Sequence, residues 1–162
     1  MNLAEKFSKI KLIIYDFDGV MTDNRVMVDQ NGIESVMVNR GDGYGVTNIK
    51  KLDIKQVIVS TETNPVVRRR AEKLKIEVIH GVEDKKTIVA NYIKDNGFDK
   101  EDVMYIGNDL NDIEAMGEVG FVGAPKDAEE EILEIADWIS SKNGGYGVLR
   151  ELYRELCKAR NL

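Results

Sequence analysis

The sequence predicts an α/β fold in which helices cover both faces of a mainly parallel sheet. Short β-favouring runs alternate with helical stretches of roughly ten residues along nearly the whole chain. Strands that alternate with helices are joined by right-handed crossovers, which make the strands of one sheet parallel. No internal repeat, low-complexity run or Pro/Ser-rich linker interrupts this alternation. We therefore expect residues 1–162 to form a single domain.

The first predicted strand, residues 10–15, ends in two aspartates, Asp16 and Asp18, followed by Gly19. The run is apolar, rich in β-branched residues and too short for a good helix, which indicates a buried strand. Because side chains alternate along a strand, both carboxylates are expected on one face, where their like charges would be crowded. Such crowding calls for a cation, a proton or both.

A β-hairpin is predicted over about residues 24–38. Two β-favouring runs, Arg25–Val28 and Ser35–Val38, flank a turn that contains Asn31 and Gly32. The Asn-Gly dipeptide is a strong hairpin signal because both residues tolerate a positive φ angle. The hairpin either extends the sheet or forms a flap over a site at the strand ends, and the sequence leaves both roles open.

The later elements follow from caps, glycine and proline signals and apolar runs. The glycine-rich run 40–45 is predicted to be a loop before a helix that Asp42 caps. Asn64 is predicted to cap a second helix, whose first residue is Pro65. The remaining predicted strands are 56–59, 77–79, 103–106, 119–122 and 137–139. The predicted helices are 44–52, 65–74, 85–95, a short one ending at 116, 128–135 and 148–158.

The composition excludes several classes of function. Acidic residues outnumber basic ones by 29 to 23, which argues against nucleic acid or an anionic membrane as the main partner. No apolar stretch approaches the roughly 20 residues of a membrane span, and residues 1–9 lack the apolar core of a signal peptide, so a cytoplasmic protein is expected. A single cysteine, Cys157, and a single histidine, His80, give no basis for an internal disulfide or a zinc site.

Polar residues gather at the predicted carboxyl ends of the strands, where parallel sheets bind ligands. Asp16, Asp18, Ser60 and Asn108 follow predicted strands, and Lys85 begins the helix after another. A carboxylate cluster with room for phosphate oxygens suits Mg²⁺. The expected site therefore combines acidic groups, one ammonium, one hydroxyl and several free backbone N–H groups.

These groups together fit phosphoryl transfer. Asp16 is the candidate nucleophile toward phosphorus, which would form an aspartyl-phosphate. Asp18 is the candidate general acid and base, because crowding by negative charge would raise its pKa. Lys85, Ser60 and the backbone N–H groups after Asp16 would hold the phosphoryl oxygens.

The chain resembles the phosphatases of the haloacid dehalogenase (HAD) superfamily, whose four motifs it carries in the right order over nearly its whole length. The motifs are Asp16–Thr22, Ser60, Lys85 and Gly107–Asp112. The resemblance implies a Rossmann-like three-layer sandwich and a Mg²⁺-dependent phosphomonoesterase. The Mg²⁺ ligands that it implies are Asp16, Asp18 and Asn108, with Asp109 and Asp112 in support.

The fourth motif departs from the usual pattern of the superfamily. Most members have an aspartate where this chain has Asn108, so one metal ligand would be neutral. Loss of that charge is expected to weaken Mg²⁺ binding and slow the enzyme unless Asp109 or Asp112 compensates.

Within the superfamily, the chain resembles a capless group that acts on 2-keto-3-deoxy sugar acid phosphates. This group includes the 3-deoxy-D-manno-octulosonate (KDO) 8-phosphate phosphatases, the 2-keto-3-deoxynonulosonate or N-acylneuraminate 9-phosphate phosphatases, and domains attached to acylneuraminate cytidylyltransferases. The matching segments are the Asn-Gly hairpin, 42–45, 67–71 and 144–151. The resemblance implies a homotetramer in which a neighbouring chain covers the site, with the glycine-rich C-terminal segment 142–162 contributing to that closure.

The choice of substrate depends on a few residues after the second motif. Glu62, Arg70 and Lys73 resemble the nine-carbon branch more than the eight-carbon branch, so a nine-carbon sugar acid phosphate is favoured and KDO 8-phosphate is the alternative. Arg70 offers a bidentate fork for the carboxylate, and Glu62 and Lys73 could read hydroxyls. Thr22 and Thr61 complete the expected substrate contacts.

Two other functions remain as hypotheses from the sequence. Asn108 favours a catalytically weak module that forms tetramers beside a cytidylyltransferase. A phospho-acceptor receiver domain is disfavoured, because neither Asp18 nor the hairpin has a purpose there.

Overall fold

The computed structural model describes all of residues 1–162 and shows a six-stranded parallel sheet with helices on both faces. The strands are β1 (Leu12–Tyr15), β2 (Met27–Val28), β3 (Glu34–Ser35), β4 (Lys55–Val59), β5 (Glu77–Ile79), β6 (Val103–Ile106), β7 (Phe121–Ala124) and β8 (Trp138–Ile139). The α-helices are α1 (Leu3–Lys9), α2 (Arg40–Lys50), α3 (Val66–Leu74), α4 (Lys85–Asp95), α5 (Ile113–Met116), α6 (Glu130–Ile135) and α7 (Val148–Ala159). Short 3₁₀ turns lie at Lys100–Asp102 and Leu110–Asp112.

The strands of the main sheet run in the order β5-β4-β1-β6-β7-β8, and all of them are parallel. At the centre, Leu12 of β1 pairs with Lys55 of β4 and with Val103 of β6. All four residues of β1 are buried, as expected for a strand that is covered on both faces. The predicted α/β fold class is confirmed.

Alternate residues of β1 pack into two separate apolar cores. Ile13 and Tyr15 face a core shared with α1, α2, α3 and α7. Leu12 and Ile14 face the core on the opposite side, shared with α4, α5 and α6. The sheet is therefore enclosed between two helical layers, and its carboxyl edge is left for the loops. None of the helices combines the length and the apolar character needed to cross a membrane.

The predicted hairpin is present as a separate two-stranded sheet. Met27 pairs with Ser35 and Val28 pairs with Glu34 in antiparallel register, and Gly32 in the turn has a φ of 78°. Both strands are shorter than the predicted runs 25–28 and 35–38. The hairpin stands apart from the main sheet and exposes most of its apolar side chains. These are Val26, Met27, Val28, Ile33 and Met37.

The structure corrects the prediction for the glycine-rich run 40–45, which is helical. α2 begins at Arg40, and the Asn39 side chain caps it by accepting the N–H of Gly41 at 2.7 Å. Asp42 is not the cap, because its carboxylate accepts the N–H of Leu149 in α7 at 2.9 Å. A Cβ atom at Gly45 would overlap the backbone of Leu149. The glycines of this helix therefore permit close packing on α7.

Several other predicted boundaries are wrong by one or two residues. β7 lies two residues beyond the predicted 119–122, because its pairing runs from Met104 with Phe121 to Ile106 with Gly123. α3 begins one residue after Pro65, although the predicted cap Asn64 does accept the N–H of Val66 at 3.0 Å. The start of α6 and the bounds of β8 shift similarly. Helix α1 is absent from the prediction, although Asn2 and Glu5 form a capping box at its start.

Candidate active site

The carboxyl ends of β1, β4 and β6 lie side by side and bring the motif residues together. Asp16 follows β1, Ser60 follows β4, and Asn108 lies two residues beyond β6. Lys85 is the first residue of α4, in the connection that follows β5. Because the loops at this edge form a crevice, side chains from distant parts of the chain meet there.

A buried ammonium group connects two buried carboxylates at this edge. Lys85 Nζ lies 2.9 Å from Asp16 Oδ1 and 2.7 Å from Asp112 Oδ1. The side chains are only 2%, 8% and 0% exposed, respectively. Burial of charged groups is costly unless they are paired and hydrogen-bonded, and here each charge faces an opposite one. The arrangement therefore fixes the direction of the Asp16 carboxylate.

Asp112 also holds the loop of the fourth motif in place. Its Oδ1 accepts the hydroxyl of Tyr105 at 2.7 Å, and its Oδ2 accepts the backbone N–H groups of Asn108 at 3.0 Å and Asp109 at 3.3 Å. With Lys85 added, each oxygen has two partners. Asp112 therefore supports the site as an anchor of this loop.

Burial changes the protonation of Asp16. The low-dielectric surroundings and then the charge of Asp112 raise the pKa of Asp16 to about 7, although Lys85 and the Phe17 N–H oppose the rise. Burial tends to lower the pKa of Lys85, but Asp16 and Asp112 outweigh that effect and the pKa is raised. A further cation beside Asp16 would favour its ionised form, which is the form that a nucleophile requires.

Asp18 is half-buried and its pKa is raised, in the predicted direction. The cause is different from the one predicted: burial contributes most and the charge of Glu62 second, while Asp16 is crowded by Asp112. The predicted mutual crowding of the two aspartates is therefore wrong. A raised pKa favours the protonated form of a carboxyl group, which is the form that a general acid requires.

Thr22 is fully buried and organises the loop after β1. Its hydroxyl lies 3.4 Å from Asp18 Oδ1 and accepts the N–H groups of Gly19 and Asn24, each at 3.1 Å. The structure therefore places Thr22 against the loop rather than on the surface that a substrate could touch. The predicted contact between Thr22 and the substrate is not supported, because no atom of Thr22 is exposed.

Three groups converge where a Mg²⁺ ion would be expected. One terminal atom of the Asn108 amide lies 3.2 Å from Asp16 Oδ2 and 2.8 Å from the Asp18 carbonyl oxygen. Mg²⁺ binds oxygen ligands at about 2 Å in an octahedron, in which neighbouring ligands are roughly 3 Å apart. The Asp16 carboxylate, the Asp18 carbonyl and the Asn108 amide oxygen therefore have the chemistry and spacing to hold Mg²⁺.

This ligand set contains only one carboxylate side chain. The structure holds no cluster of three Asp, Glu, His or Cys side chains that could bind a metal by themselves, which is consistent with a set completed by a carbonyl and an amide. Asp109 is exposed and accepts the Leu110 N–H at 2.7 Å. Asp109 and Asp112 therefore support the site through the loop rather than as direct ligands.

Ser60 and Thr61 occupy the second-motif loop in different environments. Ser60 is 1% exposed and its hydroxyl accepts the Glu62 N–H at 3.1 Å, whereas Thr61 is exposed. His80 lies in the turn after β5, with Nδ1 3.3 Å from the Glu62 carbonyl oxygen. The loop is thus held by hydrogen bonds to its own backbone.

A cavity of about 260 Å³ opens beside Asp18, between the hairpin and the second-motif loop. Its wall consists of Asp18, Asn24, Arg25, Val26, Glu34, Val36, Glu62, Asn64 and Val66. The predicted substrate residue Glu62 therefore shares a cavity with Asp18. None of the hairpin residues in this wall belongs to the predicted site, although the hairpin signal and its possible role as a flap pointed to this segment.

Arg70 and Lys73 lie elsewhere. They line a separate groove together with Arg40, between α2 and α3. Arg70 Nη2 donates to the Asn39 carbonyl at 3.0 Å. Within one chain, the structure does not bring these two predicted substrate residues to the cavity that contains Asp18 and Glu62.

Comparison with known proteins supports the class predicted from the sequence motifs, the haloacid dehalogenase-like phosphatases. The family profile for haloacid dehalogenase-like hydrolases matches residues 44–152. The KDO 8-phosphate phosphatase of Haemophilus influenzae is 31% identical over 159 residues, which cover 98% of this chain and 88% of the relative. The corresponding Escherichia coli enzyme is 31% identical over 93% of this chain and 81% of its own.

Solved structures of similar phosphatases have the same fold as this chain. The Moraxella catarrhalis KDO 8-phosphate phosphatase, solved in complex with magnesium, phosphate and KDO, has a TM-score of 0.92 and 32% sequence identity to this chain. The alignment covers 98% of this chain and 91% of the Moraxella chain. The cobalt-bound Haemophilus influenzae enzyme has a TM-score of 0.91 at 31% identity, covering 96% and 92%.

The chain belongs to the haloacid dehalogenase-like hydrolases. The predicted family is confirmed, and the predicted phosphatase activity and Mg²⁺ cofactor agree with what these relatives are and contain. Within the family, the similarity points to the eight-carbon alternative and not to the favoured nine-carbon branch.

Proposed function

We propose that this protein is a Mg²⁺-dependent phosphomonoesterase that hydrolyses KDO 8-phosphate through an aspartyl-phosphate on Asp16. The observation that carries the reaction is the buried Asp16 carboxylate, whose Oδ1 contacts Lys85 and whose Oδ2 lies beside the Asn108 amide, which also contacts the Asp18 carbonyl oxygen. The substrate rests on similarity to phosphatases of this sugar phosphate over nearly the full chain.

The proposed reaction has two steps. Asp16 attacks phosphorus, so that an Asp16–phosphorus bond forms and the bond from phosphorus to the sugar oxygen breaks, while Asp18 gives that oxygen a proton. Asp18 then takes a proton from a water molecule, whose oxygen displaces Asp16 and releases phosphate. Bound Mg²⁺ would supply charge stabilisation to the phosphoryl group. Lys85 keeps Asp16 aligned throughout.

The eight-carbon substrate replaces the nine-carbon one as the leading proposal for two reasons. The curated relatives carry the eight-carbon activity in their names. The nine-carbon hypothesis depended on Glu62, Arg70 and Lys73 acting together, and only Glu62 lines the cavity beside Asp18.

A panel of phosphate esters tests the proposed function. With Mg²⁺ present, phosphate release from KDO 8-phosphate, N-acylneuraminate 9-phosphate and glucose 6-phosphate would be compared as kcat/KM. The proposal expects KDO 8-phosphate to be the best substrate by at least about tenfold, and expects chelation with EDTA to abolish turnover. A higher kcat/KM for the nine-carbon ester would restore the nine-carbon hypothesis. Turnover that EDTA does not affect would contradict the proposed dependence on Mg²⁺.

We also propose a homotetramer in the cytoplasm, in which a neighbouring chain covers the open side of the cavity. The exposed apolar hairpin supports this, because monomeric proteins rarely leave a large contiguous apolar patch in water. Association with a cytidylyltransferase, and the weak-module alternative, rest on sequence resemblance.

A further inference from the structure

We propose that the Asn108 side-chain amide takes the place of the cation when no metal is bound, and that Mg²⁺ binding turns this amide by half a rotation. The inference rests on the proposed Mg²⁺ site but is independent of the substrate and of the reaction. It explains why a neutral residue can stand beside Asp16 where a second carboxylate would be expected.

The position of the amide favours one orientation without metal and the opposite orientation with Mg²⁺ bound. The terminal atom that points inward lies 3.2 Å from Asp16 Oδ2 and 2.8 Å from the Asp18 carbonyl oxygen, and both of these partners are acceptors. If the inward atom is nitrogen, it donates two hydrogen bonds. If it is oxygen, three oxygens meet with no donor among them, which is unfavourable in a residue that is 6% exposed.

A bound cation reverses this preference. Mg²⁺ requires oxygen ligands, so the amide oxygen must then point inward and the two hydrogen bonds to Asp16 and Asp18 are lost. The metal therefore competes with an internal donor. An aspartate at the same position has no N–H to donate, and without metal it would add a second negative charge beside Asp16.

The surrounding backbone confines the change to one side-chain torsion. The Asn108 N–H donates to Asp112 Oδ2 at 3.0 Å, and the Asn108 carbonyl accepts the N–H of Glu129 at 2.9 Å. Gly19 packs directly against the amide, and a Cβ atom there would overlap it. Gly19 also has a φ of 80°, which favours glycine. The loop is thus fixed, and a half rotation of the amide only exchanges its oxygen and nitrogen, which are of similar size.

The test compares wild type with Asn108→Asp by thermal unfolding in EDTA and during a Mg²⁺ titration. In EDTA, Asn108→Asp is expected to unfold at least about 2 °C below wild type, because it loses two donors and gains a charge. Its apparent Kd for Mg²⁺ is expected to fall about 10- to 100-fold, because the carboxylate is a charged ligand and no internal donor competes. Asn91→Asp makes the same chemical change at an exposed position of α4, outside the four motifs, and is expected to leave both quantities near wild type.

A spectroscopic measurement keeps the inference testable if Asn108→Asp fails to fold. In ¹⁵N-labelled wild type, the Asn108 side-chain NH₂ signals are expected to be protected from solvent exchange in EDTA and to lose that protection when Mg²⁺ is added. Equal or greater stability of Asn108→Asp in EDTA, or NH₂ signals that do not respond to bound Mg²⁺, would overturn the inference. If wild type binds no Mg²⁺, the rotation is overturned together with the metal site, whereas a wrong substrate would leave every one of these results unchanged.

Discussion

At the scale of single residues, buried charges decide the geometry of the site. Lys85 lies between Asp16 and Asp112, and Asp112 uses its remaining hydrogen-bonding capacity on Tyr105 and on the backbone of the fourth-motif loop. Removing one partner of such a network leaves an uncompensated buried charge. Asp16, the proposed nucleophile, is therefore oriented by Lys85, which Asp112 in turn holds in place.

Asp42 is a further buried carboxylate, outside the active site. It is 1% exposed and accepts the Leu149 N–H at the start of α7, where the preceding residue Gly147 offers no side chain as a cap. Its other oxygen has no hydrogen-bond partner. Burial raises the pKa of Asp42 to about 6, although backbone N–H groups of α7 and the charge of Arg70 oppose the rise.

The substitution Asp42→Asn is therefore expected to change how stability depends on pH. In the unfolded chain the pKa of an aspartate is about 3.9, so the native state binds this proton more tightly and wild type loses stability as the pH rises from about 4 to about 6. Asp42→Asn removes this loss. The unfolding free energy of the variant minus that of wild type should increase by up to about 3 kcal/mol across this range.

Urea unfolding at a series of pH values between about 4 and 7 measures this difference. The exposed Asp95 on α4 provides the control, since Asp95→Asn makes the same change without a buried carboxyl group. A difference between Asp42→Asn and wild type that stays constant with pH would contradict the assignment.

Local chemistry predicts part of the site at this scale. Asp16, Ser60, Lys85 and Asn108 follow from strand ends, because the carboxyl ends of parallel strands meet at one edge. The source of each electrostatic effect does not follow, since it depends on which distant side chains pack nearby. Burial raises the pKa values of Asp16 and Asp18 most. The next contributions come from the charge of Asp112 for Asp16 and the charge of Glu62 for Asp18, and not from the two aspartates acting on each other.

At the scale of elements, α2 and α7 pack closely because glycine lies at their contact. Gly45 is buried, and a Cβ atom there would overlap the carbonyl of Leu149. Gly43, two residues earlier in the sequence, has room. Its Cβ atom would lie 3.5 Å from Leu74 Cδ2 and 3.6 Å from Arg70 Nη2. Close packing on α7 therefore requires glycine at position 45, whereas the packing around position 43 would accept a larger residue.

The two glycines give a matched pair of substitutions. Gly45→Ala is expected to destabilise the protein by about 1–3 kcal/mol, because the helices must move apart. Gly43→Ala is expected to stabilise it by about 0.5–1 kcal/mol, because alanine is the better helix former and fits. Both values would come from urea unfolding at one pH. Similar effects of the two substitutions would show that the contact with Leu149 does not limit the packing.

The glycine-rich segment before α7 shows a similar limit of prediction. The sequence shows residues 142–147 as a glycine-rich joint before the last helix. In the structure, Gly144 and Gly145 pack against the loop after β1, where Cβ atoms would overlap Gly19 and crowd Asp23. Gly145 donates to the Val20 carbonyl at 3.0 Å. Sequence pattern identifies glycine but not whether it serves flexibility or close contact, because the contact partner is more than a hundred residues away.

At the scale of the whole molecule, the alternation of strands and helices predicts the layered fold, whereas assembly is not visible in one chain. The carboxyl edge of the sheet carries the site, and the hairpin beside it exposes Met27 and Met37 to 74% and 75%. Apolar surface of this kind gains free energy when a partner covers it. The proposed tetramer therefore places this surface between chains.

Charged residues on the hairpin are expected to break the assembly. The double substitution Met27→Glu and Met37→Glu should reduce the native mass from four chains to one or two, because carboxylates would be buried without partners. Ile135→Glu, at a side chain that is 46% exposed on α6, serves as the control. Light scattering coupled to size exclusion would measure the masses. A monomeric wild type, or a double variant that remains tetrameric, would contradict the proposed interface.

The central claim is that this site transfers a phosphoryl group through Asp16. Phosphate release from KDO 8-phosphate at saturating Mg²⁺, compared between wild type and Asp16→Asn with matched far-UV circular dichroism, tests it most directly. Loss of the nucleophile is expected to lower kcat by at least about 1000-fold, because the carboxylate that attacks phosphorus is gone. An Asp16→Asn enzyme that releases phosphate within about tenfold of the wild-type rate would contradict the claim.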